Sequence, residues 1–214
     1  TMSRYEEINL ENLKAYSITD RSSKVNPDLF AKKGKAEMTP FLDCLPDVLS
    51  AKDLKSLITK IKEAKAKGRA IIIGLGGHVI KCGLAPLLIE LMEAGYVSAL
   101  AVNGSVMIHD YELAFFGHTS EDVSKSLADG SFGMVFETTH GINTIITKGS
   151  AAGMGLGEAV GNEILEKAPN KDMSLLAMAS KHKIPLSVHV AIGTDVAYSS
   201  QNSGTNHASS GHRC

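Results

Sequence analysis

The stretch from Ala70 to Asp110 constrains the fold more than any other part of the chain. It reads Ala-Ile-Ile-Ile-Gly-Leu-Gly-Gly-His, runs on as an apolar-periodic segment to Ala94, and then gives Tyr-Val-Ser-Ala-Leu-Ala-Val-Asn-Gly. A short, wholly apolar run ahead of a glycine cluster reads as a strand buried on both faces. The glycines allow a tight turn and a close approach by a ligand or a helix. Leu84, Leu87, Leu88, Leu91 and Met92 repeat at helical spacing, and Gly95 falls where a helix C-cap belongs. A second apolar run, Val97 to Val102, ends at Asn103-Gly104-Ser105. Strand, glycine turn, helix, strand and polar turn make one βαβ unit of a parallel sheet. Ligands of such sheets lie at the carboxyl ends of the strands. Gly74 to His78 and Asn103 to Asp110 are therefore expected to share one site.

The flanking sequence extends this into an α/β domain, Rossmann-like and doubly wound, with a mostly parallel sheet and helices on both faces. Residues 1–40 are polar and weakly patterned, with a short helix expected over Tyr5 to Tyr16, and read as an arm that wraps the domain or a neighbouring subunit. The domain proper spans 41–196. Within it Ser50 is expected to cap a helix carrying Leu54, Leu57, Ile58 and Ile61 on one face and lysines on the other. Thr119 and Asp122 resemble a capping box for a helix over Ser120 to Ala128. Residues 131–155, with repeated glycines and a β-rich run from Thr144 to Thr147, read as a mobile loop over the sheet's carboxyl edge. Helices follow near Gly155–Asn162 and Met173–His182, then a strand from Ile184 to Ile192 that ends at Gly193-Thr194-Asp195. Residues 197–214 are Ser-, Asn-, Gly- and His-rich and too poor in apolar side chains to offset their ordering entropy, so a disordered tail is expected.

Composition narrows the function classes. With 22 Lys+Arg, 23 Asp+Glu and a net charge of −1, nothing suggests a basic face for nucleic acid. The absence of tryptophan and an aromatic content of 5% argue against a stacking platform for single strands. No apolar run spans a bilayer and no charged-then-apolar leader opens the chain, so no membrane partner is expected. Cys44, Cys82 and Cys214 form neither an even disulfide framework nor a metal-ligand spacing, and a reduced cytoplasmic setting is the expectation.

Chemistry concentrates on histidines beside the strand ends. His109 and Asp110 follow the second strand, His78 follows the first, and His140 lies near Glu137. A histidine oriented by a carboxylate is the usual general-base arrangement, which makes His109, Asp110 and His140 the candidate catalytic groups. Neighbours in sequence rarely pair, so His109 and Asp110 are expected to make separate contacts. No His-x-x-x-His or Cys-x-x-Cys metal-ligand spacing, nucleophile elbow or Walker loop occurs.

Two segments resemble the deoxyhypusine synthase family. Gly74 to Gly83 with its helix, then Ala99 to Asp110, is similar to the family's first cofactor-binding βαβ unit. Leu156-Gly157 through Asn162, Ser174 to Pro185 and Thr194-Asp195 are similar to its later Leu-Gly, helix, strand and Thr-Asp-Gly run. The resemblance implies an NAD-dependent aminoalkyl transferase acting on a small amine or polyamine, in a homo-oligomer. It implies Gly74, Gly76, Gly77, His78, Asn103, Gly104, Ser105 and Asp195 as the NAD-binding positions. The family's catalytic lysine has no counterpart, since no lysine follows Asp195. A non-catalytic nucleotide or small-molecule binding protein on the same fold is the alternative expectation, and a different reaction using His109 or His140 as base is a third.

Overall fold

The computed structural model describes residues 15–30, 39–191 and 195. Three parallel strands, β2 (Ile72–Leu75), β3 (Ala99–Asn103) and β5 (Leu186–His189), form the central sheet in the order β2-β3-β5. Gly74 pairs with Ala101, Val102 with Val188, and Asn103 with His189. The βαβ unit is present, and the chain has the Rossmann-like α/β fold expected from its sequence. The crossover from β2 to β3 runs through α3 (Gly77–Lys81) and α4 (Ala85–Glu93), with Gly95 just beyond at φ +70°.

Burial differs from expectation in one respect. β3 is the central strand, and its Leu100 and Val102 are buried. β2 starts at Ile72 rather than Ala70 and forms one edge of the described sheet, with Ile72 68% exposed. A continuous apolar run marks a strand but not its place in the sheet.

From β3 the chain enters α5 (Gly104–Phe116), which packs against α3 and against the later helices α7 (Phe136–Ala151), α8 (Leu156–Lys167) and α9 (Leu175–Lys181). Val106, Met107, Leu113 and Ala114 of α5, Ile142 of α7, Val160 and Ile164 of α8, and Leu175 and Leu176 of α9 make the core. Because α5 is wrapped on several sides, its two acids, Asp110 and Glu112, are also buried. Acids in that position must be neutralised or fully hydrogen-bonded.

Two local expectations are corrected. The segment 119–128 is not one helix but β4 (Thr119–Glu121) followed by α6 (Val123–Asp129). The Thr119 hydroxyl is bonded to Glu112 and His109 and so does not cap a helix, while Ser120 at φ +66° breaks any helical path. Asp122 is the actual cap, accepting from the Ser124 N–H. The expected loop over 131–155 is largely α7. Its β-branched residues fit because Thr138, Thr139, Ile142, Asn143, Ile145, Ile146 and Gly149 share a buried stripe at helical spacing. The Thr139 and Thr147 hydroxyls bond back to the carbonyls of Val135 and Asn143, four residues earlier.

Ahead of the sheet stand α1 (Thr39–Cys44) and α2 (Leu49–Ala66). The helix α2 begins after Val48, without the side-chain cap expected of Ser50, and its apolar stripe is open, with Leu54 43% and Leu57 55% exposed. Residues 15–30 lie against the domain. β1 (Ser23–Val25) pairs antiparallel with β4, Tyr16 bridges to Val135, and Ile18 and Phe30 are buried. The Ser17 hydroxyl and Ile18 N–H both donate to Glu137, at 2.6 and 2.9 Å. The helix expected over Tyr5 to Tyr16 falls mainly outside the described residues, and the tail at 197–214 lies wholly outside them. Among the described residues no helix is long and apolar enough to cross a membrane.

Candidate functional site

One face of α5 opens on a cavity of about 310 Å³ near the carboxyl end of β3. Ser105, Ile108, His109 and Glu112 line it at intervals of three, four and seven residues, the spacing of one helical face. Opposite stand Arg21 from the N-terminal arm, Lys81 at the end of α3, Ser120 and Glu121 of β4, Thr138 of α7, and Asp195.

Electrostatically the wall is organised around Glu112. Arg21 donates to it through both guanidinium nitrogens, at 2.8 and 2.9 Å, and the side chains are only 5% and 3% exposed. Thr119 and Thr138 donate their hydroxyls to the same carboxylate, at 2.5 and 2.9 Å. Burial raises the Glu112 pKa, but Arg21 and the two hydroxyls outweigh it and hold the group below the ordinary glutamate value. Desolvation works against the Arg21 charge, and Glu112 more than restores it.

His109 joins this network through its Nδ1, 2.8 Å from the Thr119 hydroxyl oxygen. Burial is the main reason that its pKa is lowered to about 4; Lys81, Arg21 and His78 push the same way, and Glu112 opposes them. The imidazole is therefore neutral at ordinary pH. At that pKa it is a weak base, and as a neutral imidazole it keeps one ring nitrogen free to accept a hydrogen bond.

Asp110 does not share this cavity. One residue along a helix turns the side chain by about 100°, and Asp110 faces the start of α9. There it accepts from the Ser174 hydroxyl at 2.5 Å, the Leu175 N–H at 2.8 Å and the Leu176 N–H at 3.0 Å. Complete burial lifts its pKa to about 6 against the pull of these donors. The expectation that Asp110 and His78 open onto a common pocket is corrected: Asp110 caps a helix inside the core, and His78 is exposed on α3 and off the cavity wall. His140 is likewise exposed on α7, stacked on Phe136 with ring centroids 5.1 Å apart, and does not line the cavity.

The positions expected to hold a cofactor divide in the same way. Ser105 and Asp195 line the cavity. Asn103 caps α5, its Oδ1 accepting from the Val106 N–H at 3.1 Å. Gly74 lies within β2, and Gly76 precedes α3 with the Asn103 amide nearby. Gly77 and Gly104 do serve close approach, but to the protein's own groups. A methyl on Gly77 would overlap the Ser105 side chain, and one on Gly104 the Asp195 carboxylate. The Asp195 Oδ2 accepts from the Ala191 N–H at 2.9 Å, which orients that carboxylate. Among the described residues no group of three or more His, Cys, Asp and Glu side chains could hold a metal ion.

Arg21, Lys81, Thr119 and Thr138 carry no local signal that would mark them as site residues. The one signal available is the polar stripe Ser105–His109–Glu112 at helical spacing along α5.

Comparison with known proteins fixes the family. Residues 55–182 match the family model described as arginine dihydrolase ArgZ-like, C-terminal, Rossmann fold. Similar solved structures include apo ArgZ, an arginine dihydrolase from the ornithine-ammonia cycle in cyanobacteria. It is 20% identical at a TM-score of 0.46, over 69% of this chain and 20% of that one. A conserved putative LOR/SDH protein from Methanococcus maripaludis S2 is also 20% identical at a TM-score of 0.42, over 92% of this chain and 48% of that one. The chain thus spans about a fifth and about half of the lengths of these two proteins. No curated protein matches it. The resemblance to deoxyhypusine synthase is overturned by the family match, which covers most of the same segments. It rested on an order of strands, glycine turns and helices that Rossmann domains of unrelated function share. Aminoalkyl transfer falls with it, and the expectations of NAD and a polyamine lose the resemblance that carried them. The chain belongs to the ArgZ-like C-terminal Rossmann-fold family.

Proposed function

We propose that this chain is the ligand-binding Rossmann domain of an ArgZ-like protein and that its cavity takes a basic amino acid such as arginine. The observation that carries this reading is the charge pattern of the cavity wall. Arg21 and Glu112 neutralise each other, which leaves the Lys81 ammonium and the Glu121 and Asp195 carboxylates. Lys81 has no ion-pair partner among the described residues. Glu121 accepts from the Tyr16 hydroxyl and the Gly133 N–H, and Asp195 from the Ala191 N–H, yet a carboxylate has about four acceptor sites and each keeps capacity to spare. One carboxylate and two cationic groups, the charges of a basic amino acid, are the complement of this set. His109 adds a neutral acceptor for an N–H. A volume of about 310 Å³ is at the small end of the range for ligand sites and suits a compact polar molecule. The family's description, which names an arginine dihydrolase, agrees with the ligand class.

Calorimetric titration with L-arginine and with citrulline, whose side chain is uncharged, tests the reading. Arginine should bind, and Lys81→Met or Asp195→Asn should each weaken it about 10-fold or more, the range of one lost charged hydrogen bond. Citrulline should bind more weakly by a similar factor. No heat at millimolar arginine, or wild-type affinity in both variants, refutes it. Saturable binding of NAD with none of arginine would place a dinucleotide there instead.

A further inference from the structure

The hydrogen-bond inventory around Glu112 has a consequence for His109. An ionised carboxylate can only accept, and Glu112 is kept ionised by the bidentate Arg21 pair. The Thr119 hydroxyl, 2.5 Å from Glu112 Oε2, must therefore give its single proton to the carboxylate. Towards His109 Nδ1, 2.8 Å away, that oxygen can then only accept. The proton on the imidazole must sit on Nδ1, and Nε2 is left bare.

We infer that Arg21 and Glu112 are positioning residues, which act through the Thr119 hydroxyl to hold His109 as its Nδ1–H tautomer and so present Nε2 to the cavity as an acceptor. The ring is neutral because burial and the nearby cations disfavour its charged form. A ligand meeting it must bring an N–H or O–H donor, and a carboxylate or phosphate oxygen placed there is repelled. Arg21 comes from the N-terminal arm, 91 residues from Glu112 in sequence. Docking of that arm and the hydrogen-bonding character of the site are thereby linked. That this matters for ligand choice rests on the cavity being the binding site; the tautomer itself does not.

The test is long-range ¹H–¹⁵N correlation NMR on ligand-free protein with ¹⁵N-labelled histidine, with the His109 signal assigned from His109→Gln. The wild type should show the Nδ1–H pattern for His109. Thr119→Ser keeps the hydroxyl and should keep the pattern. Thr119→Val removes the acceptor of the Nδ1 proton and should lose it, giving a mixed or Nε2–H pattern. Glu112→Gln relieves Thr119 of its obligation to donate and should have the same effect. Should Glu112→Gln fail to fold, the two Thr119 variants decide the matter. An Nε2–H pattern in the wild type overturns the inference, as does an unchanged pattern in a folded Thr119→Val protein. Failure of arginine to bind would remove the proposed ligand and leave this result standing, while an Nε2–H wild type would do the reverse.

Discussion

The Arg21–Glu112 pair offers the sharpest test of the energetics, because its members should be far more costly to remove singly than together. Both side chains are almost sealed from solvent, and two bonds of 2.8 and 2.9 Å join them. Glu112→Gln leaves a guanidinium buried without its counter-charge, which destabilises by about 3–5 kcal/mol. Arg21→Met leaves a buried carboxylate that keeps only the Thr119 and Thr138 hydroxyls, a loss of about 3 kcal/mol on the same reasoning. The double variant leaves no buried charge and retains an amide oxygen for the hydroxyls, so a net change of about 1 kcal/mol is expected. For a chain of this size each kcal/mol moves the melting temperature by roughly 2–4 °C, so each single variant should melt about 6–20 °C early. The double should recover most of that. Thermal and urea unfolding of the four proteins at neutral pH gives the coupling energy directly. There is also a pH signature. In the wild type Glu112 titrates below its ordinary value, so its contribution is present above that value and is lost as pH falls through the folded pKa. Without Arg21 only the Thr119 and Thr138 hydroxyls oppose burial, so the Glu112 pKa rises from its wild-type position and the Arg21→Met deficit should shrink on acidification. Single effects that simply add, to within about 0.5 kcal/mol, would mean that the two charges do not depend on each other and would refute the reasoning.

Three other outcomes follow from the same geometry. His109, with a folded pKa of about 4, stays neutral where the unfolded chain takes up a proton. Stability should therefore be complete above about pH 6.5 and fall by at most about 3 kcal/mol towards pH 4, a loss that His109→Gln should remove from the pH-stability curve. Asp110 runs the other way: its folded pKa of about 6 lies above the unfolded value, so its contribution rises as pH falls from about 6 to 4, and Asp110→Asn should steepen the acid loss. Gly77→Ala should destabilise by about 1–3 kcal/mol through overlap with Ser105, measured by urea unfolding, and Ser105→Gly in the same protein should restore most of the loss.

What the sequence could and could not disclose follows from the range of each interaction. The βαβ unit is legible because its signals are local: an apolar run, glycines and a leucine stripe within about forty residues of one another. The helix α7 is not, because Thr144 to Thr147 favours a strand locally and Gly141, Gly149 and Gly153 suggest a loop; packing of its buried stripe and the back-bonded threonines override both. The site divides along the same line. His109 is legible from its place beyond β3, but Asp110, the adjacent acid, is the wrong partner by a rotation of about 100°. Its real partners are Thr119, ten residues on, and through that hydroxyl Glu112 and Arg21. A helical reading of α5 would have put Glu112 on the His109 face and Asp110 away from it, since His109 and Glu112 are three apart. No local rule reaches Arg21: it meets Glu112 only because β1 pairs with β4, and that pairing becomes visible only once the arm is folded onto the domain. The sequence therefore points to the wall of the cavity, while the buried charge that tunes that wall arrives from the other end of the fold.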